Sequence, residues 1–179
     1  MKRTILVVAI ALMASVTSFA QTVVKVGYTN VDYVISKLPE SKQVKQQLKE
    51  HEDQLAKQLQ SKQKTFQLKL QEYQKGAQTM IQAVRQDKER ELQTLQQQAQ
   101  EFQVRAQESI QKKYQELMQP VFDKVQKAIE AVAKKEGFSH IFSTDAAGAP
   151  VILYASENTN ISDMVLKHLG VTVEKKAAK

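Results

Sequence analysis

The sequence predicts an α+β protein, mostly α-helical, with a long antiparallel helical hairpin (a coiled-coil arm) inserted in a small β-subdomain. Glycine and proline are sparse, and Gln and Lys are very frequent between residues 42 and 119, which is typical of a long solvated helix. Short β-branched, apolar segments precede and follow the helical region. One sheet built from both segments needs the helical region to turn back on itself, and a hairpin does this.

Residues 1–20 have the pattern of a cleaved secretory signal peptide. Lys2 and Arg3 form a positive start, Ile5 to Val16 is apolar, and Ser18-Phe19-Ala20 supplies small residues at a cleavage site. The apolar stretch falls short of the ~20 residues that span a membrane, and an uncleaved N-terminal anchor is the alternative. Export to the periplasm follows from this interpretation, with Gln21 as the mature N-terminus.

Residues 21–39 are predicted to form the first part of the body, meaning the β-subdomain that carries the arm. The β-branched, apolar run from Thr22 to Tyr28 predicts a strand. Asn30 is placed to cap a short helix that ends at Leu38. Pro39 can then occupy the first turn of the next helix.

Residues 40–136 are predicted to form the arm, because apolar positions recur there every eleven residues. The first-half rows are Val44, Leu55, Phe66 and Ala77; Leu48, Leu59, Leu70 and Ile81; and His51, Lys62, Tyr73 and Val84. The second-half rows are Leu95, Ala106, Leu117 and Ala128; Ala99, Ile110, Val121 and Val132; and Leu92, Gln103, Tyr114 and Val125. This spacing is ~3.67 residues per turn, which predicts two nearly straight helices that meet along one narrow apolar line, the seam.

The turn of the hairpin is predicted between residues 76 and 88. Pairing the two bases at Glu40 and Glu136 places it near residue 88. Gly76 can end one helix earlier, and Thr79 with Gln82 resembles a capping box for the next. In the returning helix, Pro120 predicts a kink that is either a flex point of the arm or a static bend.

Residues 137–170 are predicted to complete the body. Gly137 ends the arm, Phe138 to Thr144 reads as a strand, and residues 145–150 have turn chemistry. Val151 to Ala155 is nearly continuous in apolar character, which predicts a second strand covered on both faces. Asn160 caps a last helix that Gly170 stops, and residues 171–179 form a flexible basic tail.

The composition restricts the function to binding or structure. The chain has no cysteine, and the body segments are too small to hold a long arm alone, so several chains are expected to share one β-core. His51, His140 and His168 lack metal-ligand spacing, and the five glycines are dispersed. No enzyme activity, metal or cofactor is therefore expected.

The net charge of +7 becomes +5 once Lys2 and Arg3 leave with the signal peptide. Residues 42–75 hold eight lysines against four acids, so the outgoing helix is the basic one. This excess favours acidic partners or weak contact with anionic membrane lipid, although it also fits a solubilising face. Nucleic acid is not an expected partner of an exported protein.

Several segments, in this order, resemble the Skp/OmpH family of periplasmic chaperones over essentially the whole mature chain. They are Val-Gly-Tyr-Thr-Asn-Val-Asp (26–32), Leu-Pro-Glu (38–40), Arg-Gln-Asp-Lys-Glu-Arg-Glu-Leu (85–92), Gln-Pro-Val-Phe-Asp-Lys-Val (119–125) and Gly-Phe-Ser-His-Ile-Phe (137–142). The resemblance implies a homotrimer whose three arms enclose unfolded outer-membrane proteins and prevent their aggregation without ATP. The basic lipopolysaccharide-binding cluster proposed for some members has no match here.

Under that interpretation, contact with the unfolded client falls to apolar groups near the tip and on the inner arm faces. The candidates are Met80, Ile81, Val84, Phe102, Phe66 and Tyr73. Met80 and Phe102 fall off the main rows, whereas Phe66 and Tyr73 also fit the seam. The alternative function is that of a structural coiled-coil scaffold or spacer of the envelope, which has a fixed partner and does not protect unfolded chains.

Overall fold

The computed structural model describes residues 24–146 and 149–172. The elements in chain order are β1 (Val26–Thr29), α1 (Val31–Lys37), α2 (Pro39–Gly76), α3 (Gln82–Glu136), β2 (His140–Ser143), β3 (Asp145–Ala146), β4 (Ala149–Pro150), a 3-10 turn (Glu157–Thr159) and α4 (Ser162–His168). The signal peptide, Gln21, the first residues of the expected strand and the tail beyond Thr172 lie outside the described residues.

The body is closed by a pair of strands that are distant in sequence. β1 and β2 are parallel neighbours, with Val26 opposite His140 and Thr29 opposite Ser143. The arm, formed by α2 and the part of α3 that lies against it, is inserted between these two strands. The predicted fold class, a long antiparallel helical hairpin in a small β-subdomain, is therefore confirmed.

The hydrophobic core lies where the base of the arm meets the two short helices. The fully buried side chains come from α1, the start of α2, the last turns of α3 and α4: Val34, Ile35, Leu38, Val44, Met118, Val121, Val125, Ala128, Val132, Ile161, Val165 and Leu166. α3 is longer than α2, 55 residues against 38, because its C-terminal turns continue into this core. Within the described residues the core is thus built mainly from helices.

Helix ends follow the predicted chemistry. The Asn30 side chain accepts a hydrogen bond from Tyr33 N at 2.7 Å and so caps α1, and Pro39 is the first residue of α2. Gly137 ends α3 in the left-handed conformation at φ 72°, which glycine adopts without steric cost. Asn160 Oδ1 accepts from Ser162 N at 2.9 Å at the start of α4.

A polar junction ties the body together at the end of β1. The buried Thr29 hydroxyl lies 3.2 Å from Ser162 Oγ, which also accepts a hydrogen bond from Asn30 N at 3.0 Å. The Asn30 amide donates to Asp145 Oδ2 at 3.3 Å. Because these bonds join β1, α1, β3 and α4, the order of the elements in the body is fixed by them as well as by apolar packing.

Two predictions of local structure, one in the body and one at the turn of the arm, are wrong. Residues 151–155 do not form a strand, and Leu153 and Tyr154 are about nine-tenths exposed, at 91% and 90%. The free edge of β1 is taken by Asn160 instead, through a hydrogen bond from Ile161 N to Tyr28 O at 2.9 Å. Within the described residues, Asn160 thus occupies the edge of β1, and residues 151–155 pair with neither strand of this sheet.

The second wrong prediction is the capping box at the turn. Ile81 occupies the cap position of α3, with no side-chain hydrogen bond. The Thr79 hydroxyl donates instead to Gly76 O at 3.0 Å, so it closes the end of α2. None of the described helices combines the length and the apolar character needed to cross a membrane.

Gly27→Ala is expected to destabilise the body. A Cβ atom at residue 27 would lie 2.8 Å from Phe138 Cε1 and 2.9 Å from Ile141 Cδ1. Overpacking of this kind costs about 1–3 kcal/mol, which denaturant unfolding would show as a lower midpoint. Gly76→Ala is the matched control, because there the added Cβ meets only the flexible end of Met80. Equal stability of the two variants would contradict the close approach at Gly27.

Candidate functional site

The register of the arm is fixed by contacts between its two helices. His51 Nε2 lies 2.9 Å from Ser109 Oγ, Lys69 Nζ lies 3.6 Å from Glu91 Oε1, and Tyr73 donates to Glu89 at 2.6 Å. The midpoints of these pairs fall at residues 80 and 81, and the chain turns at residues 77–81, the tip. The estimate near residue 88 fails because the last turns of α3 belong to the body and have no counterpart in α2.

Burial falls steeply from the base of the arm outward. Val44, Val121 and Val125 are buried at the base, whereas no side chain between residues 45 and 117 is fully buried. Members of the predicted rows such as Leu55, Phe66 and Leu95 are half-buried. The seam therefore holds two helices together with a single, partly hydrated line of contacts.

One row of the predicted seam is displaced by a residue on α3. Gln103 and Tyr114 are exposed, whereas their neighbours Phe102 and Lys113 are half-buried. The prediction that Phe102 lies off the seam is wrong, since Lys62 Nζ of α2 lies 5.5 Å from the centre of its ring. A one-residue step rotates a side chain by ~100° around a helix, so the repeat alone does not decide between these neighbours.

The six candidate client-contact residues divide into two groups. Phe66, Tyr73 and Phe102 are half-buried, and the Tyr73 hydroxyl is engaged by Glu89, which raises the pKa of Tyr73 through their hydrogen bond. At the tip, Met80 is half-buried against Gly76. Ile81 is 70% exposed and Val84 is also exposed.

Further exposed apolar side chains on the arm were not among the candidates. They are Leu68, Val104, Tyr114 and Phe122. Leu68 and Val104 do not fit the eleven-residue rows, and this misfit is the sequence signal that could have found them. Tyr114 fits a row and Phe122 lies near Pro120, so only the three-dimensional placement of α3 reveals their exposure.

Pro120 lies within α3 beside a cleft between the two helices at the base of the arm. The cleft has a volume of about 340 Å³ and is lined by apolar Val44, Leu117, Pro120 and Val121 and by polar groups that include Glu40 and Lys124. Lys124 donates to Glu40 across it, and this hydrogen bond lowers the pKa of Glu40. The other oxygen, Glu40 Oε2, is buried and receives no hydrogen bond from the described residues.

The body also carries two sets of exposed apolar groups. On the outer face of the β1–β2 pair, Val26 and Phe142 are exposed, and His140 stacks on Phe142 with ring centres 6.5 Å apart. Val151, Leu153 and Tyr154 add a run of uncovered side chains after β4. Single exposed apolar residues are ordinary, but a contiguous set marks an interaction surface.

The three histidines lie apart from one another, on α2, β2 and α4. Among residues 24–146 and 149–172, no group of three or more histidine or carboxylate side chains is placed to hold a metal ion. The exposed apolar surfaces of the arm and the body are thus the candidate binding sites.

The fold and these surfaces define a class of protein: a small α/β body that carries one long helical-hairpin arm. Residues 25–169 match the family described as outer membrane protein (OmpH-like), and the chain belongs to this family. Comparison with curated proteins gives no match.

Among solved structures, the chain is similar to a protein from Caulobacter crescentus that is provisionally assigned as an outer membrane chaperone (OmpH-like). The similarity has a TM-score of 0.70 at 16% sequence identity and covers 80% of this chain and 82% of that chain. At this identity the similarity establishes the fold.

Lys124→Met is expected to destabilise the protein at neutral pH and to lose this effect in acid. The folded-state pKa of Glu40 lies below its usual value of 4.5. Its ion pair therefore contributes stability above that value, and the contribution is lost as the pH falls through the folded pKa. Unfolding midpoints of the variant and the wild type should converge once the pH has fallen below the folded-state pKa of Glu40.

Lys49→Met is the matched control, because Lys49 forms an exposed ion pair with Asp53 within one helix. Such pairs contribute little, so this variant should unfold like the wild type at every pH. A gap between Lys124→Met and wild type that persisted unchanged in acid would mean that packing, and not the ion pair, is responsible.

Proposed function

We propose that the chain is an ATP-independent periplasmic holdase that binds unfolded outer-membrane proteins and prevents their aggregation in transit. Membership of the OmpH-like family supports a role with outer-membrane proteins. The signal-peptide pattern of residues 1–20 supports a periplasmic location. We also propose the division into signal peptide (1–20), body (21–39 and 137–170), arm (40–136) and basic tail (171–179).

The observation that carries this proposal is the dispersed apolar surface of the arm. Leu68 is 51% exposed and Val104 is 58% exposed, and both stand among water-facing Gln, Lys and Glu side chains. Separate apolar groups of this kind cannot hold a folded partner in one orientation. They can contact successive apolar side chains of an unfolded chain, wherever these occur.

The mechanism follows from many weak contacts. Each contact with an exposed Leu, Val or Ile buries part of one side chain, worth about 1 kcal/mol. The contacts add through multivalency when one client touches several positions at once. Release needs no nucleotide, because a client that folds into the membrane withdraws its apolar groups. The candidate contacts are Leu68 and Val104 together with Met80, Ile81, Val84, Phe66, Tyr73 and Phe102.

We further propose that the body assembles into a homotrimer, so that three arms surround one client. The support is the uncovered apolar set on the body, in which Leu153 and Tyr154 are almost fully exposed. Burying an apolar side chain of this size contributes about 1.5–3 kcal/mol of favourable free energy, which an exposed side chain does not gain. A second copy of the body is a partner that is always present at the right stoichiometry. We propose in addition that each arm bends at Pro120, at its base.

A structural scaffold of the envelope remains the second candidate function. The long arm and the narrow seam fit a spacer equally well. The two candidates differ in their response to unfolded chains, because a spacer has a fixed partner and gives no protection against aggregation.

The test is aggregation of a denatured outer-membrane protein diluted into buffer without ATP, followed by light scattering. Excess mature protein should suppress scattering. The double variant Leu68→Ser/Val104→Ser should need about thirtyfold more protein, because two contacts of about 1 kcal/mol each are removed. Gln67→Ser/Gln98→Ser is the matched control, with the same helix cost and no apolar loss. Circular dichroism first confirms that the wild-type protein is folded. If the folded wild-type protein did not reduce light scattering, the result would favour the scaffold.

Self-assembly is tested separately by sedimentation equilibrium. Leu153→Asp/Tyr154→Asp places two charges on the uncovered segment and should reduce the assembled mass to that of one chain. The tip is far from this segment, so Ile81→Asp should leave the assembled mass unchanged. A wild-type chain that sediments as a monomer would overturn the trimer.

A further inference from the structure

The middle of α3 carries a stripe of exposed glutamines. Successive residues are rotated by about 100° around a helix, and ten positions between residues 93 and 115 lie within about 60° of the direction of Gln100. All ten are exposed. The glutamine stripe, about 33 Å long at 1.5 Å per residue, comprises Gln93, Gln96, Gln97, Gln100, Gln103, Val104, Gln107, Gln111, Tyr114 and Gln115.

Between residues 93 and 115, the charged side chains all lie off this stripe. They project at least about 80° away from the direction of Gln100 around the helix, and they are Glu101, Arg105, Glu108, Lys112 and Lys113. Glutamine, glutamate and lysine have nearly the same helix propensity, and charged residues favour solubility. Neither helix formation nor solubility therefore explains why one face of α3 has no charge.

The other helix of the arm does not separate its residue types in this way. Exposed glutamines of α2 such as Gln60 and Gln63 share one face with Lys57 and Lys64. Both helices are rich in Gln and Lys, so composition alone does not produce an uncharged face. The glutamine stripe is a property of α3 and needs a reason of its own.

The amides of the stripe can form new hydrogen bonds. Among the described residues only Gln97 of this set has a partner, with its Nε2 donating to Glu101 Oε1 at 2.9 Å. Each glutamine amide carries two N–H donors and one carbonyl acceptor, whereas a lysine only donates and an ionised glutamate only accepts. The stripe therefore suits a partner that presents neutral donors and acceptors together.

The spacing of the amides matches that of an extended polypeptide. Four of them follow each other at intervals of four residues, about 6 Å along the helix axis; they form the amide row, which is Gln103, Gln107, Gln111 and Gln115. Because such a row is inclined by about 26° to the axis, each step along it is about 6.7 Å. An extended chain repeats every two residues, or about 6.6–6.8 Å, and each of its non-proline residues carries one N–H and one C=O group.

We propose that the glutamine stripe binds the main chain of an extended segment of the client, with the amide row hydrogen-bonded to successive backbone groups. Val104 and Tyr114 lie on either side of the row and contact the client's side chains. This inference rests on the proposed function, because it takes the partner to be an unfolded chain. The recognised feature is the unpaired backbone, which every unfolded segment has whatever its sequence. A client that closes into a barrel pairs these groups between its own strands and is released.

A second helix is a poorer partner for this face. Helices pair along apolar positions that recur every three to four residues, and the stripe offers only Val104 and Tyr114, ten residues apart. The backbone groups of a helix are already bonded to each other. Covering the stripe with a helix would therefore leave amides without partners, which is costly.

Methionine substitution separates hydrogen bonding from apolar contact. Gln103→Met/Gln107→Met/Gln111→Met/Gln115→Met keeps unbranched side chains of nearly the same helix propensity and removes every amide of the row. A labelled, denatured outer-membrane protein diluted into the mature protein gives the dissociation constant by fluorescence titration. The variant should bind about thirtyfold more weakly, the loss of four hydrogen bonds at the low end of their net strength. If apolar contact alone held the client, the added methionines would tighten binding instead.

Gln54→Met/Gln58→Met/Gln63→Met/Gln67→Met is the matched control, with the same change of composition at exposed positions of α2. It should bind the client at least as tightly as the wild type does. Equal or tighter binding by the α3 variant would overturn the role of the stripe and leave the holdase proposal standing. Equal weakening by both variants would also overturn it, because glutamines anywhere on the arm would then contribute alike. A wild-type protein that binds no denatured client would overturn both proposals.

A second measurement uses the wild-type protein alone, so that it does not depend on the folding of a variant. The probe is a strand-length peptide of an outer-membrane protein whose central six main-chain amides are replaced by esters. The esters remove backbone N–H donors and leave the side chains unchanged. The wild-type protein should bind this peptide about tenfold more weakly than the unmodified peptide. Equal binding of the two peptides would overturn recognition of the main chain.

Discussion

The pairing of β1 with β2 is the constraint on which the rest of the structure depends. The two strands are parallel and in register over four residues, although all of the arm lies between them. Closing so long a connection carries an entropic cost, and the antiparallel arm offsets it by returning the chain to its origin. Lys25, beside β1, also donates to Glu136 O at 2.7 Å and lies 4.1 Å from the Phe138 ring, so the strand is fastened to the end of α3.

Because the same helix belongs to both body and arm, rigidity is distributed unevenly along it. The last turns of α3 carry Val121, Val125 and Val132 into the core, whereas its outer part shares only a half-buried seam with α2. Segments with few buried apolar contacts open at lower free energy than core segments. Because burial decreases along α3 from the base to the tip, the base of the arm is rigid and its outer part is flexible. An arm of this kind can adjust to partners of different size.

Local chemistry made much of this fold predictable. The caps at Asn30 and Gly137 depend on residues close in sequence, and the structure places them as the sequence indicates. The failures involve competition between distant groups. Whether residues 151–155 pair depends on which segment takes the edge of β1, and whether Phe102 or Gln103 faces α2 depends on how the two helices are rotated. Each of these choices is decided by a contact between residues that are far apart along the chain.

The candidate surfaces differ in how their apolar groups are arranged, and the arrangement decides the kind of partner. On the body, Leu153 and Tyr154 are adjacent in sequence and both almost fully exposed, so they suit one fixed partner such as another copy. On the arm, Leu68 and Val104 stand apart among polar side chains, and isolated groups suit a chain without fixed shape. Total apolar area would not separate these two cases, whereas the spacing of the exposed side chains does.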